Sequence, residues 1–138
     1  MKRPPTDLQI LEEIYNRYYE KFSEYSSENP GRESKVYVPI DIASIAEHFG
    51  VDGDIVHGRL YYYLDHKYGI IRADGSKVPF FLIVENTSAD KCHQVQFPIL
   101  ASAIAGLRES RNQYLWATGL AGASFIIALF AFIFGVAC

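Results

Sequence analysis

Residues 41–84 read DIASIAEHFGVDGDIVHGRLYYYLDHKYGIIRADGSKVPFFLIV. Asp41 is a candidate helix N-cap, because its carboxylate can accept from the open N–H groups of the turn that follows. Ile42, Ile45, Ala46 and Phe49 then share one face of a short helix, which Gly50 stops. Val51-Asp52-Gly53 reads as a turn. A third helix is predicted from about 54 to 68, with Ile55, Leu60, Tyr63 and Leu64 towards the core and Gly69 at its end. The runs 70–72 and 78–84 flank Ala73-Asp74-Gly75-Ser76-Lys77. Two β-prone runs around Asp-Gly predict a hairpin.

Working outward, Val36, Tyr37 and Val38 form a short extended run before Pro39. Residues 23–35, SEYSSENPGRESK, are polar and rich in breakers and read as a surface loop. Before it lies a well-signalled helix. Thr6 and Gln9 make a capping box. Leu8, Leu11, Tyr15, Tyr18, Phe22 and Tyr25 recur at steps of three and four. The stripe reads as core packing, or, being long and aromatic, as a dimer seam. There are no internal repeats.

This order is helix, short strand, helix, turn, helix, hairpin. With IAEHFGV as second helix, GRLYYYL as third, YGII as strand and DGSK as wing tip, residues 41–84 resemble winged helix-turn-helix domains. The resemblance implies an α+β fold. It also implies a third helix and wing that meet a partner: in winged-helix DNA binders the third helix enters the major groove. Fold analogy alone does not assign the ligand.

The C-terminal part has a different composition. Residues 113–138 contain no Asp, Glu, Lys or Arg, and 115–136 read LWATGLAGASFIIALFAFIFGV. At about 1.5 Å per residue this stretch spans about 33 Å, against a bilayer hydrocarbon core of about 30 Å. Eleven of its 22 positions are Leu, Ile, Phe or Val, together worth roughly 3 to 7 kcal/mol of insertion free energy. A buried core helix rarely stays apolar on every face for this length. The N-terminal MKRPPTDLQ has no apolar run and does not read as a signal peptide.

Arg108 and Arg111 precede the span and no charge follows it. The positive-inside rule then puts the N-terminal domain in the cytoplasm, with Tyr114 and Trp116 at the headgroups. A span this close to the end implies insertion after translation, as in tail-anchored proteins. Cys92 and Cys138 would lie on opposite sides, so no disulfide is expected. Ala117 with Ala121, and Gly119 with Ala123, have the small-xxx-small spacing that lets membrane helices approach and self-associate. The expected organisation is therefore a winged-helix-like cytoplasmic domain at 1–96, a juxtamembrane helix at 97–112 and a transmembrane helix at 113–138. Pro98 suits a first turn, and Ile99, Leu100, Ala103, Ile104 and Leu107 can cover the domain.

Charge limits the partner. The chain carries 13 basic and 16 acidic residues, net −3. Residues 1–54 hold 6 basic and 11 acidic groups; 55–112 hold 7 and 5. Arg59, Lys67, Arg72 and Lys77 are the cations best placed to meet phosphate, but Asp54, Asp65 and Asp74 interrupt them, so this is no basic patch. Tyr61 and Tyr62 are the exposed aromatics of the same face, and tyrosine is a favoured protein anchor. Together these six residues form the candidate binding surface, for a protein partner first and nucleic acid second.

No catalytic, metal or cofactor site is expected. His48, His57 and His66 recur every nine residues, which does not form one helical face, and Cys92-His93 is a lone couple. No nucleophile elbow or Gly-rich phosphate loop is present. Asn86-Thr87-Ser88 matches a glycosylation pattern but reads as a cytoplasmic loop. Three functions fit: a membrane-tethered module that docks or regulates a partner protein; a toxin-like or phage-defence effector whose oligomerising anchor perturbs the bilayer; and a membrane-bound DNA-binding regulator.

Overall fold

A computed structural model describes residues 3–26, 28, 32, 34–85 and 91–137. Among the described residues, helix is mixed with two small antiparallel sheets and a long apolar helix follows them. It divides into two compact units, Met1–Ile104 and Ala105–Cys138.

In the first unit, α1 (Asp7–Ser23) opens on the expected capping box. Thr6 Oγ1 accepts from Gln9 N at 3.1 Å, and Gln9 Oε1 accepts from Thr6 N at 2.8 Å. The buried ridge is displaced from the predicted stripe. Ile10, Leu11 and Ile14 are fully buried, whereas Leu8, Tyr15, Tyr18, Phe22 and Tyr25 are only partly so. The aliphatic residues take the interior and the tyrosines flank them, where a hydroxyl can still find a partner. Tyr18 Oη, for example, accepts from Asp41 N at 2.7 Å.

Helix α2 (Ile42–Phe49) follows its sequence signals. Asp41 caps it, with Oδ1 accepting from Ser44 N at 3.3 Å and Oδ2 from Ser44 Oγ at 2.7 Å. Gly50 ends it in the left-handed conformation, φ 67°. The predicted third helix has three parts: α3 (Gly53–Gly58), a π-helical segment (Arg59–Leu64) and α4 (Asp65–Tyr68). Its core residues are Val56, Leu60 and Leu64, not Ile55 or Tyr63, which are exposed. Four α-helical steps overshoot a full turn and four π-helical steps fall short of one. The two drifts offset, so residues 56, 60 and 64 stay on one inward face.

The strands differ most from expectation. β2 (Ile70–Ile71) and β3 (Lys77–Val78) form the predicted hairpin, in register Ile70 to Val78 and Ile71 to Lys77, with Gly75 at φ 88° in the turn. The run 78–84 is not one strand. It breaks at Pro79 and Phe80, and β4 (Phe81–Glu85) joins another sheet. There it pairs with β5 (Lys91–Gln96), which the sequence reading left out and which is the central strand in the order β1-β5-β4. β1 (Tyr37–Ile40) starts later than predicted and runs through Pro39, opposite Gln94. An edge strand tolerates a proline because the missing N–H is not needed by a second neighbour.

Helix α5 (Phe97–Ala137) begins directly after β5, with Gln96 Oε1 accepting from Ile99 N at 2.8 Å. Phe97 is buried and stacks on Phe22 and Tyr15, at 4.6 and 5.5 Å between ring centroids. Leu100, Ala103 and Ile104 are buried as expected. The second unit is the rest of α5, where every residue from 108 to 133 is exposed. Among the described residues one helix, Phe97–Ile133, is long and apolar enough to cross a membrane. Its best 18-residue window has mean hydropathy 2.0 and no buried residue. A core helix of a soluble domain would have that window mostly covered.

Candidate functional site

The π-helical segment sets the site. With Leu60 and Leu64 inward, the three tyrosines between them all point outward: Tyr61, Tyr62 and Tyr63 are 47%, 69% and 70% exposed. The Tyr61 and Tyr62 rings meet edge to face at 4.9 Å. On the other side of Tyr61, His57 stacks at 5.8 Å and 11°. The His57 ring also meets Phe81 of β4 at 5.7 Å and His93 of β5 at 5.3 Å, both edge-on. His93 stacks on Phe81 at 5.7 Å, and Ile83 lies directly opposite it in the ladder. A ladder of rings thus runs from the exposed tyrosines across to the sheet.

The predicted cations are distributed differently. Arg59 Nη1 donates to Asp7 Oδ1 at 2.6 Å, joining the π segment to α1, and a shallow recess beside this pair is lined by Asp7, Arg59 and Tyr63. Lys77 Nζ donates to Asp65 Oδ2 at 2.8 Å. Lys67 lies over the Tyr68 ring at 5.3 Å, and Arg72 is exposed at the hairpin. Two of the four cations are therefore held by carboxylates within the unit, and Lys67 and Arg72 remain at the surface.

Asp65 is not a solvent-facing charge that opposes those cations. Its Oδ1 accepts from Phe80 N at 2.9 Å and from Phe81 N at 3.1 Å. Tyr37 Oη donates to Pro79 O at 2.9 Å, and Gln96 N donates to Phe80 O at 2.8 Å. Four hydrogen bonds from three residues, Asp65 of α4, Tyr37 of β1 and Gln96 of β5, thus fix residues 79–81, which is why the apolar run breaks there. Burial, and next the Asp65 charge, push the Tyr37 phenol above its ordinary value. Asp74 closes the β2–β3 turn on Ser76, through N at 2.9 Å and Oγ at 2.6 Å. The Ser76 hydroxyl, and next its N–H, hold the Asp74 carboxyl below its ordinary value.

The histidines do not act together as a set. His48 Nε2 lies 3.3 Å from Glu13 Oε2, His66 is exposed, and His57 belongs to the ring ladder. Among the described residues no group of three or more His, Cys, Asp or Glu could hold a metal ion. The approach of His57 to His93 was missed by sequence reasoning, because β5 was not foreseen. The Asn86–Ser88 pattern, the Cys92 side chain and Cys138 lie outside what is described.

Along α5 the small residues fall on two faces. At about 100° per residue, Gly119 and Ala123 share a face with Trp116 and Phe130. Ala117 and Ala121 lie roughly opposite and continue through Ser124, Ala128 and Ala131 at steps of four and three. Comparison with models of protein families, with curated proteins and with solved structures finds no match to this chain.

Proposed function

We propose that the protein is a single-pass membrane protein whose first unit is a winged-helix module that docks a partner protein at the cytoplasmic face. The single observation that carries the docking reading is the Tyr61–Tyr62 pair. These are large, exposed rings, buttressed through His57 onto Phe81 and His93, and so pre-organised as anchors. The winged-helix reading draws support from the element order, and from β1 lying beside β5, the second strand of the β4–β5 hairpin. On this reading the wing is β4–β5, and the Asp74 turn is an additional hairpin. Membrane placement draws on the exposed, uncharged half of α5, and the orientation on Arg108 and Arg111.

Nucleic acid is the weaker partner because Arg59 and Lys77 are engaged with Asp7 and Asp65, which leaves few cations for phosphate. The test is capture of partners from detergent extract by the full chain, with and without nuclease, compared with Tyr61→Ala/Tyr62→Ala. One protein retained after nuclease and lost from the double variant is expected. Nuclease-sensitive capture would move the reading to DNA or RNA.

One observation favours a second reading, the oligomerising membrane effector. The Ala117, Ala121, Ser124, Ala128, Ala131 face has the heptad spacing at which small side chains allow close helix packing. Growth arrest with dye entry on overexpression, relieved by Ala121→Leu, would support it over the docking module.

A further inference from the structure

In the order β1-β5-β4, both β1 and β4 have an outer edge among the described residues, and the two edges differ. Phe97 N donates to Val36 O at 2.7 Å, which sets the phase of the β1–β5 ladder. Antiparallel ladders alternate, so Val38 and Ile40 bond to β5 while Tyr37 and Pro39 turn their backbone groups outward. Pro39 has no N–H, so the β1 edge cannot complete a further ladder. On the other side, Gln96 N donates to Phe80 O. By the same alternation Leu82 and Val84 bond to β5, and Phe81, Ile83 and Glu85 face outward. Asp65 Oδ1 already accepts from Phe81 N at 3.1 Å, which closes the edge at that end. The backbone N–H and C=O groups of Ile83 and Glu85 are directed away from the sheet. β4 reads Phe-Leu-Ile-Val-Glu, with no proline or lysine to blunt it, and Ile83 and Val84 are each 38% exposed.

We propose that this edge pairs with the same edge of a second copy, β4 antiparallel to β4, about a two-fold axis at Val84. The register is self-complementary: Ile83 of each copy stands opposite Glu85 of the other, and Val84 stands opposite its own equivalent. Each Ile83–Glu85 pair exchanges two hydrogen bonds, about four in all. The Val84 pair adds a β-branched cross-strand contact, and the two Glu85 residues do not face each other. A register centred on Ile83 would instead need Phe81 N, which Asp65 holds. The contact is small. A specific interface needs about 800 Å² on each partner, more than three residues of edge supply, so a free peptide gains little here. A second copy gains more, because α5 confines copies to one bilayer at high effective concentration. In that respect the inference rests on the reading of α5 as a membrane span.

The test uses the full chain in phosphatidylcholine vesicles, with Cys92→Ser and Cys138→Ser and one new cysteine at a time. Val84 and its equivalent form a non-hydrogen-bonded pair in the proposed ladder, with Cα atoms about 4.5 Å apart, within disulfide range. The two Leu82 residues are then about 14 Å apart along the strands, at about 3.4 Å per residue. Under mild oxidation Val84→Cys should give a disulfide-linked dimer, and Leu82→Cys and Ile71→Cys should not. Ile71 is 75% exposed and lies in the other sheet, so it reports random collision. Ile83→Pro, added to Val84→Cys, removes an outward N–H and should abolish the link. Ala121→Leu on α5 should leave it in place. Resistance to carbonate extraction reports the span separately. A carbonate-resistant Val84→Cys chain that stays monomeric, or that links no faster than Ile71→Cys or Leu82→Cys, overturns the proposal. So does a link that survives Ile83→Pro and is lost with Ala121→Leu, which assigns the contact to α5.

Discussion

Asp65 ties α4 to residues 80 and 81 and to Lys77, so its removal should loosen the first unit. Asp65→Ala deletes the acceptor shared by Phe80 N and Phe81 N, and the partner of Lys77. Hydrogen bonds to a charged acceptor contribute about 1.5–3 kcal/mol each. The Asp65 side chain is 17% exposed and the Lys77 side chain 44%, so water partly replaces the lost acceptor and the ion pair itself contributes at most about 1 kcal/mol. The expected loss is about 2–3 kcal/mol, or roughly 8–15 °C in the melting temperature of a unit of this size. Asp65→Asn keeps an oxygen for the two N–H groups and loses only the charge, at about 1 kcal/mol. Lys77→Ala should lose less still. Near-ultraviolet circular dichroism follows the tertiary environment of the tyrosines without the α5 helical signal, and hydrogen exchange at residues 80 and 81 gives the local answer. Since residues 79–81 carry β4 and Phe81 to His57, the Ala variant should also weaken partner capture through Tyr61 and Tyr62. A loss within about 0.5 kcal/mol of the parent, or Lys77→Ala as costly as Asp65→Ala, would refute the latch.

Gly69→Ala forces a Cβ onto Asp65 O and Lys77 Cε; it should cost about 1–3 kcal/mol, read in the same melt. The Asp41 carboxyl is held below its ordinary value of 3.8, first by the Ser44 hydroxyl and then by the Ser44 N–H. Its folded value is depressed, so its contribution is fully present above 3.8 and is lost as pH falls below that; Asp41→Asn should flatten this part of an acid unfolding curve. Phe125→Arg places a charge within the apolar half of α5 and should weaken membrane insertion by roughly 3 kcal/mol, measured as the fraction resisting carbonate extraction. Ala121→Leu should abolish self-association in detergent if the Ala117 face packs helices, while Ala123→Leu should leave it intact; the reverse result assigns the packing to the Gly119 face.

What was legible in the sequence depends on how locally each feature is determined. The capping box of Thr6 and Gln9, the Asp41 cap and the Gly50 stop involve residues three or four apart, so the chain spells them out. The apolar half of α5 is equally legible, because transfer from water to hydrocarbon sums over side chains regardless of what lies around them. The Asp74-Gly75 hairpin is similar: its turn chemistry is contained in five residues. The third helix was legible only in outline. Its limits are legible, but its π segment is not, so an α-helical period points Tyr63 inward where the segment turns it out; in α3 the buried residue is Val56 rather than its neighbour Ile55.

Tertiary structure decided the rest. β5 reads Lys-Cys-His-Gln-Val-Gln and carries little apolar signal, yet it is the central strand, because a central strand is held on both sides by backbone hydrogen bonds that any sequence can make. Asp65 reads as a surface anion, and its true partners, Phe80 N and Phe81 N, are backbone groups 15 and 16 residues away. Arg59 reads as a free cation until α1 brings Asp7 against it across 52 residues. The ladder from Tyr61 to His93 needs a helix and two strands to be in place at once. Contacts of that kind leave no period and no motif in the chain. They arise when burial of Leu60, Leu64, Phe80 and Val95 brings the elements together and polar groups nearby must find partners.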